Sequence, residues 1–544
     1  MPSQARSELS PTEKSGALGY RSVDDSAALI GRERTSDKWG MEEPVAPSGS
    51  LQGKAIDAHL ESIGDALRSD VSALGVRGWS AAGGLGAGIV LLAAVGGIEP
   101  AALGLLALVA LVTAWRRPYV LGPFVAFMLP AGERIHVLAA QVAPLEVVVG
   151  GGAVGYLVHL ASKRERPRLT GAHWMFAALV AAIALSTFGP VDDSDRLREV
   201  LFWAALGIVF YAVTVQLGSR RLLLVALATA TLVEALVTVY EYVDGWSERF
   251  SLLNGAIVYP LPSGTLGHPN ALAQFLVLAV LGVLALALAE QGAVRLLGVV
   301  AVVMGSLALV VTFSRASWIA FAVGVSVYLL DRRTRVPVLA AGAVAAIGAA
   351  TLALFNAGAI GARISSPFSG DTAGLYGFRA ELVRRAAEII ADHPFAGSGR
   401  FEEAGVYAGR PDLATHPHDL FLGLAVFFGI PAAIAFGGLV LLALRSAWRG
   451  SRARASADSL TAIGFLALLV ALLVNGLLEY PLWNASLLVL VVLALAVAVT
   501  LGRDAANGSS ACTETTQRDA PQRDDGRCAK RAPSGAGPDV HVVH

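Results

Sequence analysis

The chain has 544 residues, 55% of them hydrophobic and 15% charged, with 42 basic against 42 acidic side chains and a mean hydropathy of +0.61. A chain this apolar does not divide into soluble globules, and balanced charge without a basic domain argues against nucleic acid as a partner. The only cysteines, Cys512 and Cys528, lack His or Cys neighbours at ligand spacing, so neither a disulfide framework nor a zinc site is indicated.

Residues 1–75 read as a cytoplasmic, mostly disordered tail. Met1 to Ser50 lacks apolar periodicity, and no charged, apolar and small-residue sequence of a signal peptide opens the chain. Ile56 to Leu67 carries apolar residues at helical spacing and suits a short helix on the membrane surface. Residues 76–355 then form transmembrane helices, with apolar runs near 80–97, 100–114, 118–130, 142–160, 171–188, 199–217, 221–240, 266–289, 293–312, 316–330 and 336–355. Most approach the ~20 residues that cross a hydrocarbon core of ~30 Å. An extracytoplasmic loop with short helices follows over 356–418. Three last spans, near 419–444, 459–478 and 484–501, fill residues 419–502, and 503–544 is a disordered cytoplasmic tail. Because lipid offers no hydrogen bonds to the backbone, each run should be a helix. The expected fold is all-α, a polytopic membrane helix bundle of about 12–14 spans with a long, partly helical extracytoplasmic loop.

Short basic loops stay in the cytoplasm. Placing the N-terminus inside puts Arg116-Arg117, Lys163 to Arg168, Arg220-Arg221, Asp331 to Arg335 and Arg445 to Arg454 all on that side. The acidic Val191 to Glu199, the loop from Glu241 to Ser263 and the segment from Asn356 to Pro417 then face outward. Tyr240, Trp246 and Tyr259 suit an interfacial aromatic belt.

The unusual charges collect on that outer side. In GFRAELVRRAAEIIADHPFAGSGRF a helix should stop at Asp392-His393-Pro394. Its apolar arc holds Phe378, Leu382, Val383, Ala386, Ile389 and Ile390, while Arg384 and Arg385 have acidic neighbours at pairing distance. Arg379 falls within the apolar arc, which makes it a candidate for an anion, with snorkelling or a distant salt bridge as the alternative. Arg315, in TFSRASWIAF, interrupts two apolar runs at their outer ends and is either on a substrate path or an interfacial turn residue. His416 and His418 immediately precede an apolar run. The amino end of a helix favours a neutral ring able to take a proton, as a general base requires; the alternatives are that Asp419 caps the helix with His418 a bystander, or that the two rings together begin a metal site. Asn270, in GTLGHPNALAQFL, either caps its helix or offers an amide to a polar head group. Arg400, in a GSGR turn that is no phosphate loop, could add to a positive pocket. His268 and His393 read as structural.

Taken in order, GTLGHPNALAQFL, TFSRASWIAF, the arginine-led helix ending ADHPFAGSGRF, and THPHDLFLGLAVFFGIPA resemble the O-antigen ligase and O-antigen polymerase family over roughly Val200 to Trp483. The resemblance implies a metal-independent, inverting glycosyltransferase without a cofactor. It would move a glycan from an undecaprenyl-pyrophosphate carrier to an acceptor hydroxyl on the outer face of the cytoplasmic (inner) membrane. It further implies that Arg315 and Arg379 hold the pyrophosphate and that His418 takes the acceptor proton. The family histidine is usually followed by Asn; here Asp419 follows, which can still accept a bond from the ring. His416, Arg400 and Asn270 are the remaining substrate-binding candidates. The expected partners are the lipid-linked glycan, an acceptor glycan or lipid-anchored sugar, and the bilayer. Ligase, polymerase and protein oligosaccharyltransferase differ only in acceptor, which the sequence does not choose. A flippase for lipid-linked oligosaccharide and a non-catalytic polysaccharide-assembly protein are the rival readings; a transporter should carry its charges near the midplane rather than at one face.

Overall fold

The computed structural model describes residues 98–132, 135–137, 140–164, 166–188, 194–216, 220–244, 261–355, 372–399, 417–453 and 457–518. The expectations for Met1 to Ser50, the Ile56 to Leu67 helix, the run at 80–97, Trp246 and Tyr259 lie outside these residues. So do two site candidates, Arg400 and His416.

The described residues are almost wholly helical. Their one sheet is a hairpin of β1 (Ile135–Val137) on β2 (Ala140–Val142). Ten helices among them are long and apolar enough to cross a membrane. They are α1 (Ile98–Arg116), then, after the short α2 (Leu121–Phe127), α3 (Pro144–Lys163), α4 (Gly171–Leu185), α5 (Ser194–Val215) and α6 (Arg220–Asp244), followed by α7 (Pro269–Ala289) and α8 (Gly292–Val311). Next come α9 (Arg315–Leu330), which is shorter, and α10 (Arg332–Phe355), neither of them among the ten. Beyond them α11 (Thr372–Asp392) and the short α12 (Leu420–Phe428) lead to the last three spans, α13 (Ile430–Ser451), α14 (Ala457–Gly476) and α15 (Ala485–Arg518). The protein is thus a multi-pass helical membrane protein.

Two expected spans change form. The run at 118–130 is a 3-10 turn at Pro118–Val120, the seven-residue α2 and a second 3-10 turn at Leu129–Ala131, because Pro118, Pro123 and Pro130 punctuate it. The run at 419–444 is two helices, broken at Gly429, whose φ of +88° only glycine adopts easily.

At the centre stands α7, apolar on every side and buried on nearly every turn, as such a helix must be. It packs against α6, α8, α9 and α14, while α15 packs against α5, α13 and α14. Small residues let these axes approach: a Cβ on Gly464 of α14 would stand 2.6 Å from Ala285 of α7.

Several basic loops expected to share one side do meet at one end of the bundle. Arg220 reaches Asp458 at 2.7 Å and also Asp504, tying α6 to the start of α14 and to α15. Arg221 meets Glu290, at the end of α7, at 3.1 Å. Arg333 pairs with Asp331 at 2.7 Å and donates to the Ser451 carbonyl at 3.2 Å and to Ser459 at 3.0 Å. The hydrogen bonds from Arg333 hold the Asp331 carboxyl below the usual carboxylate range. With α7, α9, α13 and α15 all finishing here, the amino ends of α7, α9 and α15 and the carboxyl end of α14 share the other end.

Candidate functional site

That other end gathers the polar residues. Asp419 caps α12, its carboxylate accepting from the amides of Phe421 at 2.9 Å and Leu422 at 2.8 Å. Asp419 thus closes the amino end of α12 through Oδ1. His418, just ahead of the cap, has a φ of +51°, a left-handed conformation uncommon for a residue with a side chain. This turn directs its ring to Glu479: Nδ1 lies 2.8 Å from Oε2. A carboxylate only accepts, so Nδ1 carries the proton of this bond, and in the neutral ring Nε2 is the nitrogen that accepts.

Glu479 was not singled out by the sequence, where LLEYPLW reads as the ordinary edge of a span. It follows α14 by three residues and keeps a bond from its amide to the Asn475 carbonyl at 2.8 Å. The residue is only 4% exposed. A carboxylate so buried needs partners, and it has them on both oxygens, because Asn270 Nδ2 donates to Oε1 at 3.4 Å. Asn270 accordingly serves the site with its side chain. The capping role expected as its alternative belongs to His268, whose Nδ1 accepts from the Asn270 amide at 3.1 Å. His268 stands edge to face with Trp483, ring centres 5.5 Å apart. Burial pushes its ionisation below the usual histidine value of 6.5, Glu479 opposes this, and the nearby His418 adds to it.

Arg315 is the first residue of α9, half-buried behind the capping position of Ser314. A cation at a helix amino end runs against the helix dipole, and the two together form a place for an anion. Two residues on, Ser317 accepts from Asn475 Nδ2 at 3.4 Å, so the start of α9 is fastened to the turn of α14 that precedes Glu479.

Arg379 lies in α11, one turn before Leu382. That helix stops at Asp392 as expected, and Arg384 pairs with Glu381 and Glu388 on its exposed face. Leu382 and Ala386 are buried against Val426 of α12, whereas Val383, expected on the same arc, is exposed. The turn after α11 wraps the break at Gly429. The Ser398 amide donates to the Val426 carbonyl at 2.7 Å and the Ile430 amide to the Pro394 carbonyl at 2.8 Å. A second residue that sequence reasoning missed, the buried Arg196 of α5, donates to the carbonyls of Ser186 and Ser398 and fastens this turn to the bundle. Its signal was an arginine amid acidic residues, which reads as a solvated loop.

Fold and site define a polytopic helical membrane protein whose polar residues meet at one end, around a histidine held by a carboxylate. Compared with known families, residues 299–437, from α8 into α13, match the family model described as O-antigen ligase: the chain carries an O-antigen ligase family domain. Arg315, Arg379 and His418 fall within the match; Asn270 and Glu479 flank it on either side. No curated protein matches the chain.

Proposed function

We propose that the protein is a glycosyltransferase of the cytoplasmic membrane that moves a glycan from an undecaprenyl-pyrophosphate carrier to an acceptor hydroxyl, as an O-antigen ligase or surface-polysaccharide polymerase. The end holding His418 faces outward and both termini lie in the cytoplasm. The observation that carries the reading is the hydrogen bond from His418 Nδ1 to the buried Glu479, within and beside an O-antigen ligase domain.

In this reading Glu479 holds the ring in the tautomer whose Nε2 takes up the acceptor proton, and stabilises the imidazolium that forms. The acceptor oxygen attacks the anomeric carbon as its proton passes to Nε2. The bond from that carbon to the pyrophosphate oxygen breaks, and the lipid pyrophosphate leaves with the electron pair. Arg315 and Arg379 neutralise the charge growing on the leaving group, for which forked donors are well shaped. A single displacement inverts the anomeric centre.

The test is transfer in nanodiscs with a lipid-linked glycan and candidate acceptors, with and without a chelator. We expect wild-type turnover that is indifferent to the chelator, inverted product by NMR, and loss of transfer in folded His418→Ala and Arg379→Ala. If no acceptor were glycosylated while the protein moved lipid-linked glycan across a liposome bilayer, a transporter would replace this reading.

A further inference from the structure

A cleft of about 420 Å³ opens between the first turns of α3 and α5 and the turn leading into α15, lined among others by Glu146, Arg198, Glu199, Phe202 and Trp483. Its polar wall is fixed in place: Glu146 is paired with Arg198 and accepts from the Ala143 amide at the start of α3, at 3.4 Å. Its aromatic wall is Trp483, 39% exposed on one side and edge to face with His268 on the other. The contact of Trp483 with His268 therefore joins the cleft to the row His268, Glu479, His418.

We infer that this cleft is the acceptor-saccharide subsite of the transferase proposed above, an inference that rests on that reading. A pyranose ring offers an apolar face of C–H groups, which suits an indole, and a rim of hydroxyls, which suits carboxylates and a guanidinium; the cleft presents these groups together. Its position agrees. The helix of Arg315, α9, packs on α7 and α14, whereas α3 and α5 pack on each other and on α15. A sugar in the cleft reaches His418 past Trp483, and an anion at Arg315 reaches it from the helices on the other side. The base thus stands between acceptor and leaving group, where a displacement needs it.

The inference is tested without donor, by saturation-transfer NMR of the full chain in nanodiscs with the methyl β-glycosides of glucose, galactose and N-acetylglucosamine. At least one should bind saturably. Trp483→Ala should weaken that binding about tenfold, Trp483→Phe should retain it, and Glu146→Gln should weaken it several-fold. In the transfer assay Trp483→Ala and Glu146→Gln should raise KM for the acceptor and leave KM for the lipid-linked donor unchanged, and Trp483→Phe should change neither. Should Trp483→Ala melt below wild type, Glu146→Gln and Trp483→Phe decide. No binding to wild type, or equal binding by wild type and the weakened variants, overturns the subsite. Intact saccharide binding with no transfer to any acceptor overturns the transferase reading alone.

Discussion

His418, Glu479 and Asn270 come from three helix ends more than 60 positions apart, and each depends on the others for what it can do. His418 was legible because a polar segment ending in histidines meets an apolar run there. Glu479 was not, since a lone carboxylate at the edge of a span has the same sequence signature whether it faces water or a ring. Asp419 was legible as a possible cap because it directly precedes an apolar run, and the structure shows its Oδ1 accepting from the Phe421 and Leu422 amides. Asp419→Ala should cost about 1 kcal/mol through the lost cap, measured by denaturant unfolding in detergent. His268 has its own signature. Its ionisation lies below the ordinary 6.5, so the unfolded chain binds more protons than the folded one between those values. The stability it contributes is complete above pH 6.5 and is lost as pH falls through the depressed folded value. Thermal melts from pH 7.5 to 5 should fall toward acid in wild type and flatten in His268→Gln.

At the scale of elements, the sequence placed most helices within a few residues, because runs of some twenty apolar residues leave few alternatives. The exceptions share a cause: hydropathy is continuous across Gly429 and across the prolines of 118–130, so the apolar signal runs on where backbone geometry breaks the helix. The Gly429 break is where the turn after α11 docks. A Cβ there would overlap the Phe395 carbonyl, and the conformation itself is closed to alanine. Gly429→Ala should therefore cost on the order of 3 kcal/mol and free the 394–398 turn. Arg196→Ala should free the same turn by removing its bonds to the Ser186 and Ser398 carbonyls. Limited proteolysis after α11 should be faster in both variants than in wild type, and Arg384→Ala, on the solvent face, should leave it unchanged.

For the molecule as a whole, the two ends differ in kind. One is knitted by Arg220, Arg221 and Arg333 to carboxylates and carbonyls; the other holds the buried carboxylate, the histidines and Arg315. The basic end was readable from the basic loops, since charge asymmetry along the chain is a property of sequence. Maleimide labelling in right-side-out vesicles tests the orientation, after Cys512→Ser and Cys528→Ser. Arg166→Cys should be shielded and Thr265→Cys reachable from outside; the reverse pattern would turn the protein over in the membrane. The central claim, that His418 is a base oriented by Glu479, is tested most directly by the transfer kcat of His418→Ala, Glu479→Gln and the double variant. Each single change should lower kcat about a hundredfold to ten-thousandfold, and the double variant should be no slower than His418→Ala, because the carboxylate acts through the ring. A Glu479→Gln enzyme at full rate, or effects that multiply in the double variant, would contradict it.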